Sequence, residues 1–300
     1  MKGIRVGIIG TGNIGCDLGE RLLLDSDFDL IAIIGRNPES AGLSRFKNKV
    51  PIILSEGQKS LQEVVRGLDI VFDATSAHDS PGHWDISKKA GKCFVDLTPS
   101  GVGRPMVPEL MNLVESMTLQ KSNAVNYSMI TCGGQSGSPV LFAITQNCTG
   151  VSEVEISSSI ASKSAGPATR NNIDQYVDTT ENLLAEISGS KQAKAMLVLN
   201  PAEPPVMMRT TITVAAENCD LKKIEKDTSE LVNKIREYVP GYDLVVAPHL
   251  LANNTISATV RITGAGYYLP SYAGNLDIIN AAAVETARRH FQFMKSWSRN

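Results

Sequence analysis

The fold of this chain is decided by residues 4–15, which read IRVGIIGTGNIG. Residues 4–9 are a nearly continuous apolar run, as expected of a parallel strand that is buried on both faces. The glycine pattern G-x-G-x-x-G follows at once, and a helical pattern then extends to Leu24. Strand, glycine turn and helix in this order predict a Rossmann-type unit that binds a dinucleotide.

The three glycines of this turn have different tasks. Gly10 permits the turn, Gly12 lets the backbone approach a pyrophosphate, and Gly15 lets the helix pack close to the strand. The alternative, a glycine-rich turn without a ligand, is disfavoured because strand and helix flank the motif as binding requires.

The end of the second predicted strand, residues 28–34, bears on the choice of cofactor. Enzymes that use NAD commonly carry Asp or Glu there to bind the ribose hydroxyls. Here the run is GRNPES, in which Arg36 can bind a 2′-phosphate with Asn37 and Ser40 as partners. The sequence therefore favours NADP over NAD, and the alternative is that Arg36 is an ordinary solvated loop residue.

Two further buried strands are predicted at residues 69–76 and 92–97, with small polar residues after each. Such strand ends line the cofactor crevice of an open α/β sheet. His78 and His83 are only a weak metal pair, because they are five residues apart with no further ligand nearby. We therefore predict structural histidines and no metal site.

The predicted reactive group is a cysteine in residues 131–138, TCGGQSGS. Cys132 lies where a helix can begin, and the helix dipole and nearby backbone N–H groups favour the reactive thiolate. Gly133 and Gly134 leave room for a substrate carbonyl, and their N–H groups are candidate oxyanion donors. On residue type alone, the alternative is a buried structural cysteine.

The sequence changes character after residue 147, where alternating strands and amphipathic helices predict an open sheet with helices on one face. Between them, residues 162–172 form a cationic loop in which Lys163 and Arg170 can hold phosphate. A long helix over residues 276–296 is predicted to return to the nucleotide unit. Asn275 is either its N-cap or a contact to the nicotinamide amide.

These patterns predict an α/β protein of two domains. Residues 1–131 and 273–300 form the Rossmann-type NAD(P)-binding domain, and residues 132–272 form an α+β catalytic and dimerisation domain. The strands of the second domain offer an oligomer surface, so a homo-oligomer is expected.

The composition excludes several classes of protein. The net charge of −2, from 29 basic and 31 acidic residues, argues against nucleic-acid and membrane-surface binding. No apolar run reaches the roughly 18 residues of a membrane span, and residues 1–5 lead directly into a strand, without a signal peptide. The five scattered cysteines suggest reduced thiols and therefore a cytoplasmic enzyme.

Together the motifs resemble the acylating acetaldehyde dehydrogenases, the short family whose members often accompany a 4-hydroxy-2-oxovalerate aldolase. The most specific combination is CGGQ at residues 132–135 with SKSAGP at residues 162–167. The matching stretches follow the family's order along nearly the whole chain: residues 9–15, 71–76, 96–99, 131–135, 162–172, 200–205, 238–242 and 268–277.

The resemblance implies a CoA-dependent dehydrogenase for a short aldehyde, with Cys132 as the nucleophile that carries the acyl thioester and NAD or NADP as the cofactor. It also implies cofactor contacts from the glycine turn, from the loop at residues 164–172 and from one asparagine near the nicotinamide. These residues are Gly10, Thr11, Gly12, Asn13, Ile14, Ser164, Ala165, Gly166, Pro167, Ala168, Thr169, Arg170, Asn171, Asn172 and Asn275.

The chain departs from the family in two places. Members commonly carry an Asp, proposed as a base, shortly after a Met-Arg pair, whereas here Arg209 is followed by Thr210 and Thr211. The segment between Tyr242 and Thr263 is also shorter than usual, in a region that shapes the substrate domain. The chain is therefore expected to work alone or on a different acyl group, and an aldolase partner is left open.

Two rival functions share the same sequence plan. A reductase of an acyl phosphate or a carrier-bound acyl thioester, of the semialdehyde dehydrogenase kind, usually needs a partnering His. Neither His249 nor His290 has a context that recommends it. A non-catalytic NADP-binding sensor or scaffold subunit would instead bind the cofactor while Cys132 stays unreactive.

Overall fold

The computed structural model describes residues 3–297, except for the side chains of Pro167 and Ala168. Contacts divide the chain into one unit of Met1–Met129 with Ala283–Asn300, and a second of Ile130–Ala282. The last helix, Gly274–Trp297, therefore contributes to both units. The sequence-based division begins the returning segment earlier, at residue 273, and the assignment of functions to the two units stays a prediction.

The first unit is built on a seven-stranded sheet whose paired strands are parallel, in the order β3-β2-β1-β4-β5-β7-β6. Its strands are β1 (Ile4–Ile9), β2 (Phe28–Ile34), β3 (Ile52–Leu54), β4 (Ile70–Asp73), β5 (Cys93–Asp96), β6 (Arg104–Met106) and β7 (Asn126–Met129). The order reverses between β1 and β4, which opens a crevice at the carboxyl ends of the strands. The predicted Rossmann-type α/β fold is confirmed.

The helices of the first unit lie in the connections between these strands. They are α1 (Asn13–Leu24), α2 (Ala41–Arg45), α3 (Gln58–Val64) and α4 (Ser80–Lys89). Central strand residues such as Val6, Ile33 and Phe72 are almost fully buried. Burial of the central strands on both faces explains why they are continuous apolar runs in the sequence.

The second unit holds a five-stranded sheet in the order β11-β12-β10-β8-β9. Its strands are β8 (Cys148–Ala161), β9 (Gln192–Asn200), β10 (Met208–Cys219), β11 (Tyr242–Leu251) and β12 (Thr255–Ile262). Its helices are α5 (Cys132–Thr145), α6 (Pro167–Asn171), α7 (Ile173–Ser188), α8 (Leu221–Tyr238) and the first part of α9 (Gly274–Trp297). Helices α5, α7 and α8 pack against the sheet.

Strand β9 was not predicted from the sequence. It is an edge strand that pairs only with β8, in parallel, while the other pairs of this sheet are antiparallel. Apolar side chains such as Met196 and Val198 stay about half exposed on it. A half-buried strand is recognised by apolar residues that alternate with polar ones. Strand β9 lacks this alternation because apolar residues also lie on its exposed face, so the sequence did not predict it.

Two cysteines differ from the predicted reduced state. Cys148 and Cys219 face each other across β8 and β10 and form a disulfide. They are 71 positions apart in sequence, so only the strand register brings them together. The free cysteines Cys16 and Cys93 are buried, and Cys132 is half-buried.

The helices in residues 3–297 include none that is both long and apolar enough to cross a membrane.

Candidate active site

The glycine turn between β1 and α1 is open at Gly12 and closely packed at Gly10 and Gly15. Gly10 has a φ of +108°, in a region that side chains rarely adopt. A Cβ on Gly15 would collide with the carbonyl oxygen of Gly10, whereas a Cβ on Gly12 would meet nothing within 4 Å. Helix α1 also begins without a side-chain cap from the described residues. Open space beside an uncapped helix start fits a phosphate group.

The remaining predicted residues of this turn lie beside that space. Thr11 is half-buried, and its Oγ1 lies 3.4 Å from Oγ of Ser40. Asn13 is exposed and begins α1, followed by the half-buried Ile14. Ser40 also accepts a hydrogen bond from the Leu43 N–H at 3.1 Å and so caps α2.

Arg36 makes a contact that the sequence did not predict. Its Nη1 lies 3.4 Å from Oδ2 of Asp79, and its side chain is 80% exposed. Hydrogen bonds from His78 and Ser76, together with Arg36, lower the pKa of Asp79. An exposed ion pair of this kind stabilises by about 0–1 kcal/mol. A 2′-phosphate would therefore compete with a nearby carboxylate for Arg36, and the NADP preference stays a prediction.

His83 lies in the core, as the structural interpretation of this residue expects. Its Nδ1 is 2.9 Å from Oδ2 of the buried Asp73, at the end of β4. At the end of the neighbouring strand β5, burial raises the pKa of Asp96. Residues 3–297 contain no group of three or more His, Cys, Asp or Glu side chains placed to hold a metal ion.

Cys132 is the first residue of α5, at a point where the sequence allows a helix to begin, and its thiol is subject to two opposing influences. Thr131 caps the helix, because its Oγ1 accepts a hydrogen bond from the Gly134 N–H at 3.0 Å. Burial raises the pKa of the Cys132 thiol to about 11, against a lowering by Tyr176 and the N–H groups of Gly133 and Cys132. The local donors act in the predicted direction, but desolvation outweighs them.

The two glycines after Cys132 have close neighbours in the fold. The Gly134 N–H is occupied by the Thr131 cap and cannot serve as an oxyanion donor. A Cβ on Gly133 would strike the hydroxyl of Tyr176 and come within 2.8 Å of Oγ of Ser158. Glycine is required at position 133 because the neighbouring elements come this close.

Thr210 and two residues that sequence reasoning missed, Tyr176 and Ser158, surround this point. Tyr176 lies on α7, Ser158 on β8 and Thr210 on β10, and all are buried. Thr210 and Ser158 are paired across the two strands, with their hydroxyl oxygens 3.0 Å apart. Thr210 occupies the region where the family resemblance expects a carboxylate, so a neutral hydroxyl stands there instead.

The sequence of α7 contains a pattern that could have identified Tyr176. Tyr176 and Thr180 are four residues apart and therefore share one face of the helix. Oγ1 of Thr180 lies 2.7 Å from Oγ1 of Thr131, so this face meets the start of α5. Two polar residues on an otherwise apolar helix face are a detectable pattern.

The loop at residues 162–172 uses its cations to hold itself together. Arg170 donates hydrogen bonds to the carbonyl oxygens of Ala165 and Ser162, at 3.0 and 2.9 Å. Lys163 pairs with Glu203, with 2.6 Å between Nζ and Oε1. Both cations thus have partners within the second unit, and phosphate binding by either stays a prediction.

The other predicted contacts in this loop vary in exposure. Ser164 and Ala165 are buried, Thr169 and Asn172 are half-buried, and Gly166 and Asn171 are exposed. The side chains of Pro167 and Ala168 lie outside the described part of the chain.

Asn275 is not the N-cap of the last helix. Helix α9 begins at Gly274, which places Asn275 in its first turn. Its side chain is buried, and its Oδ1 has no hydrogen-bond partner among the described residues. A buried amide oxygen without a partner fits a ligand that brings an N–H donor, so a nicotinamide contact stays a prediction.

The chain is similar to known proteins over most of its length. Residues 132–270 match the family described as prokaryotic acetaldehyde dehydrogenase, dimerisation. The acetaldehyde dehydrogenase of Spirochaeta aurantia is 43% identical over 289 residues, covering 96% of this chain and 95% of that protein. The chain belongs to the acetaldehyde dehydrogenase family. The resemblance found in its motifs is confirmed.

Other acetaldehyde dehydrogenases match over the same extent. That of Burkholderia thailandensis is 45% identical, with 95% of this chain and 94% of that protein covered. That of Geobacillus stearothermophilus is 43% identical, with 96% of each covered.

A solved structure shares the fold. Aspartate semialdehyde dehydrogenase II of Vibrio cholerae, in complex with ASA, is similar with a TM-score of 0.65 over 97% of this chain and 99% of that one. At 13% sequence identity this likeness concerns the fold alone.

Proposed function

We propose that this chain is an acylating aldehyde dehydrogenase, which interconverts a short aldehyde and its acyl-CoA with a nicotinamide cofactor. The observation that carries the proposal is the difference in exposure among the free cysteines of the described residues. Cys132 is half-buried at the start of a helix, whereas Cys16 and Cys93 are buried within the first unit. A thiol that is reachable and next to hydrogen-bond donors is the one suited to nucleophilic attack.

The chemistry assigned to Cys132 is covalent. Its sulfur attacks the aldehyde carbon, a C–S bond forms, and the carbonyl electron pair moves to the oxygen. When bound, the nicotinamide would accept the hydride that this carbon loses, which leaves a thioester on Cys132. The CoA thiol then loses its proton and attacks the thioester carbon, and the Cys132 sulfur leaves with the electron pair of the C–S bond and can take up a proton.

The residues of the first unit that would hold the cofactor are those of the glycine turn. The open space at Gly12 and the uncapped start of α1 suit the pyrophosphate, and Arg36 would meet the adenosine ribose. In the second unit, Asn275 has a buried oxygen that suits a carboxamide donor.

The test is an intact-mass measurement after mixing the protein with acetyl-CoA in the absence of reduced cofactor. A single acetyl adduct on the protein, absent from Cys132→Ala, is the expected result. Cys93→Ala is the matched control, because it removes a buried thiol and should still be acylated. A free Cys132 thiol after incubation would contradict CoA as the acyl donor.

The same measurement separates the rival functions. Acylation by acetyl phosphate but not by acetyl-CoA would support a reductase of acyl phosphates. Cofactor binding with a thiol that no acyl donor modifies would support a sensor or scaffold subunit.

We expect Arg36→Ala to remove a preference for NADPH over NADH. The unmodified enzyme should show the lower KM for NADPH, by roughly tenfold for one charge-assisted contact to phosphate. Asp79→Asn, which releases Arg36 from its carboxylate partner, should strengthen the preference. Equal KM values for both cofactors in the unmodified enzyme would show that Arg36 is a loop residue without a role in selectivity.

A homo-oligomer is part of the proposal, because the matching family is described by its dimerisation region and strands β9 and β11 expose apolar side chains. Those on β11 include Val246 and Leu250. A cytoplasmic location stays a prediction from the sequence, and an aldolase partner stays open.

A further inference from the structure

A series of buried hydroxyl groups leads through the second unit toward Cys132. Oγ of Ser136 lies 2.7 Å from Oγ1 of Thr210, which lies 3.0 Å from Oγ of Ser158. These three side chains are fully buried and come from α5, β10 and β8. Tyr176 of α7 continues the series, because its hydroxyl shares one side of Gly133 with Oγ of Ser158.

The Tyr176 hydroxyl lies near Ser158 and Cys132 but differs from the other hydroxyls in the quality of its hydrogen bonds. The residue is only 9% exposed, and its oxygen makes no hydrogen bond of normal distance and angle with the described residues. A buried hydroxyl without a well-formed hydrogen bond destabilises the fold. Such a group is retained at this cost where the working molecule supplies a partner for it.

The Cys132 sulfur is the nearby acceptor for the Tyr176 hydroxyl. As a thiolate it accepts hydrogen bonds better than as a thiol. The groups that lower the pKa of Cys132 are the Tyr176 hydroxyl from α7 and the N–H groups of Gly133 and Cys132 from α5. No charged side chain of residues 3–297 is among the causes of its shift. Burial also raises the pKa of Tyr176 well above 10, so it stays a donor at neutral pH.

We propose that Tyr176 is a catalytic residue whose hydroxyl donates a hydrogen bond to Sγ of Cys132 whenever that sulfur is a thiolate. This occurs before attack on the aldehyde and again when CoA displaces the acyl group. Ser158 and Thr210 are positioning residues. The Ser158 hydroxyl, which lies 3.0 Å from Oγ1 of Thr210, donates to the Tyr176 oxygen and so turns the phenolic proton toward the sulfur. The inference rests on the proposed function only for the role of Cys132 as nucleophile.

The test is the pH dependence of Cys132 alkylation by iodoacetamide, followed by intact mass and assigned with Cys132→Ala. Tyr176→Phe removes one oxygen atom and is expected to slow alkylation about tenfold at pH 8, equal to a rise of about one pKa unit. The tenfold ratio of the two rates should persist at every pH well below the Cys132 pKa of about 11. Tyr127→Phe is the matched control, because it removes a buried phenolic oxygen in the other unit, and its profile should not move.

An unchanged profile for Tyr176→Phe, or an equal shift for Tyr127→Phe, would overturn the inference. If Tyr176→Phe fails to fold, Thr210→Val keeps the side-chain shape, removes the hydroxyl and should shift the profile in the same direction by a smaller amount. No shift in that variant would then count against the inference. Alkylation needs neither aldehyde nor CoA, so a shifted profile without acylation by acetyl-CoA would refute the proposed function alone.

Discussion

Turnover of aldehyde and CoA is expected to fall by roughly 10⁴-fold or more in Cys132→Ala, as when a covalent nucleophile is removed from an enzyme. The reason is that no other described thiol can replace it: Cys16 and Cys93 are buried, and Cys148 and Cys219 are paired with each other. The measurement is steady-state reduction of NADP⁺ with a short aldehyde and CoA. Binding of NADPH, measured by fluorescence titration, should be unchanged.

The control for this variant is Cys93→Ala, which truncates a buried side chain of β5 far along the sequence from the reactive cysteine. It is expected to lower stability modestly and to retain turnover. If Cys132→Ala kept substantial turnover while Cys93→Ala lost it, the covalent scheme would be wrong.

Binding of the dinucleotide is expected to weaken by roughly 100-fold or more in Gly12→Val, while the protein folds normally. Nothing lies within 4 Å of a Cβ at this position, so the free protein has room for the first atom of the side chain. The same space is where a pyrophosphate must approach the backbone, and a branched side chain would exclude it. Isothermal titration with NADPH and a thermal melt of the free protein measure the two effects separately.

Gly67→Val is the matched control, since a Cβ at Gly67 likewise meets nothing within 4 Å and the residue lies in another connection of the first unit. Its affinity and melting temperature should resemble those of the unmodified protein. Gly15→Val provides the opposite case, because its Cβ would strike the Gly10 carbonyl and should impair folding itself. Normal NADPH affinity in Gly12→Val would contradict the assignment of this turn to the cofactor.

The sequence by itself determined the elements whose pattern is set locally. Strands β1 and β2 have the bounds that the sequence predicts, and helix α8 is one of the amphipathic helices expected after residue 147. A strand buried on both faces is a continuous apolar run, and an exposed helix is amphipathic, so both patterns are visible without a partner. The glycine turn and the start of α5 at Cys132 were predictable for the same reason, because turn chemistry depends on neighbouring residues.

Only the tertiary structure decided the surroundings of the reactive groups. Tyr176, Ser158 and Thr210 come from different elements, and the packing of α7 on α5 and the register of β8 with β10 bring them together. The Cys148–Cys219 disulfide depends on that same register. Strand register and helix packing depend on contacts among many side chains that are distant in sequence, so a local pattern does not predict them.

The protonation state of Cys132 illustrates the difference most directly. Its position at a helix start is a local property and predicts a lowered pKa. The burial that raises this pKa to about 11 is produced by the elements that fold over it. Desolvation depends on how much water the whole fold removes from the sulfur, which is why the sequence identified the nucleophile and the tertiary structure decided how it must be activated.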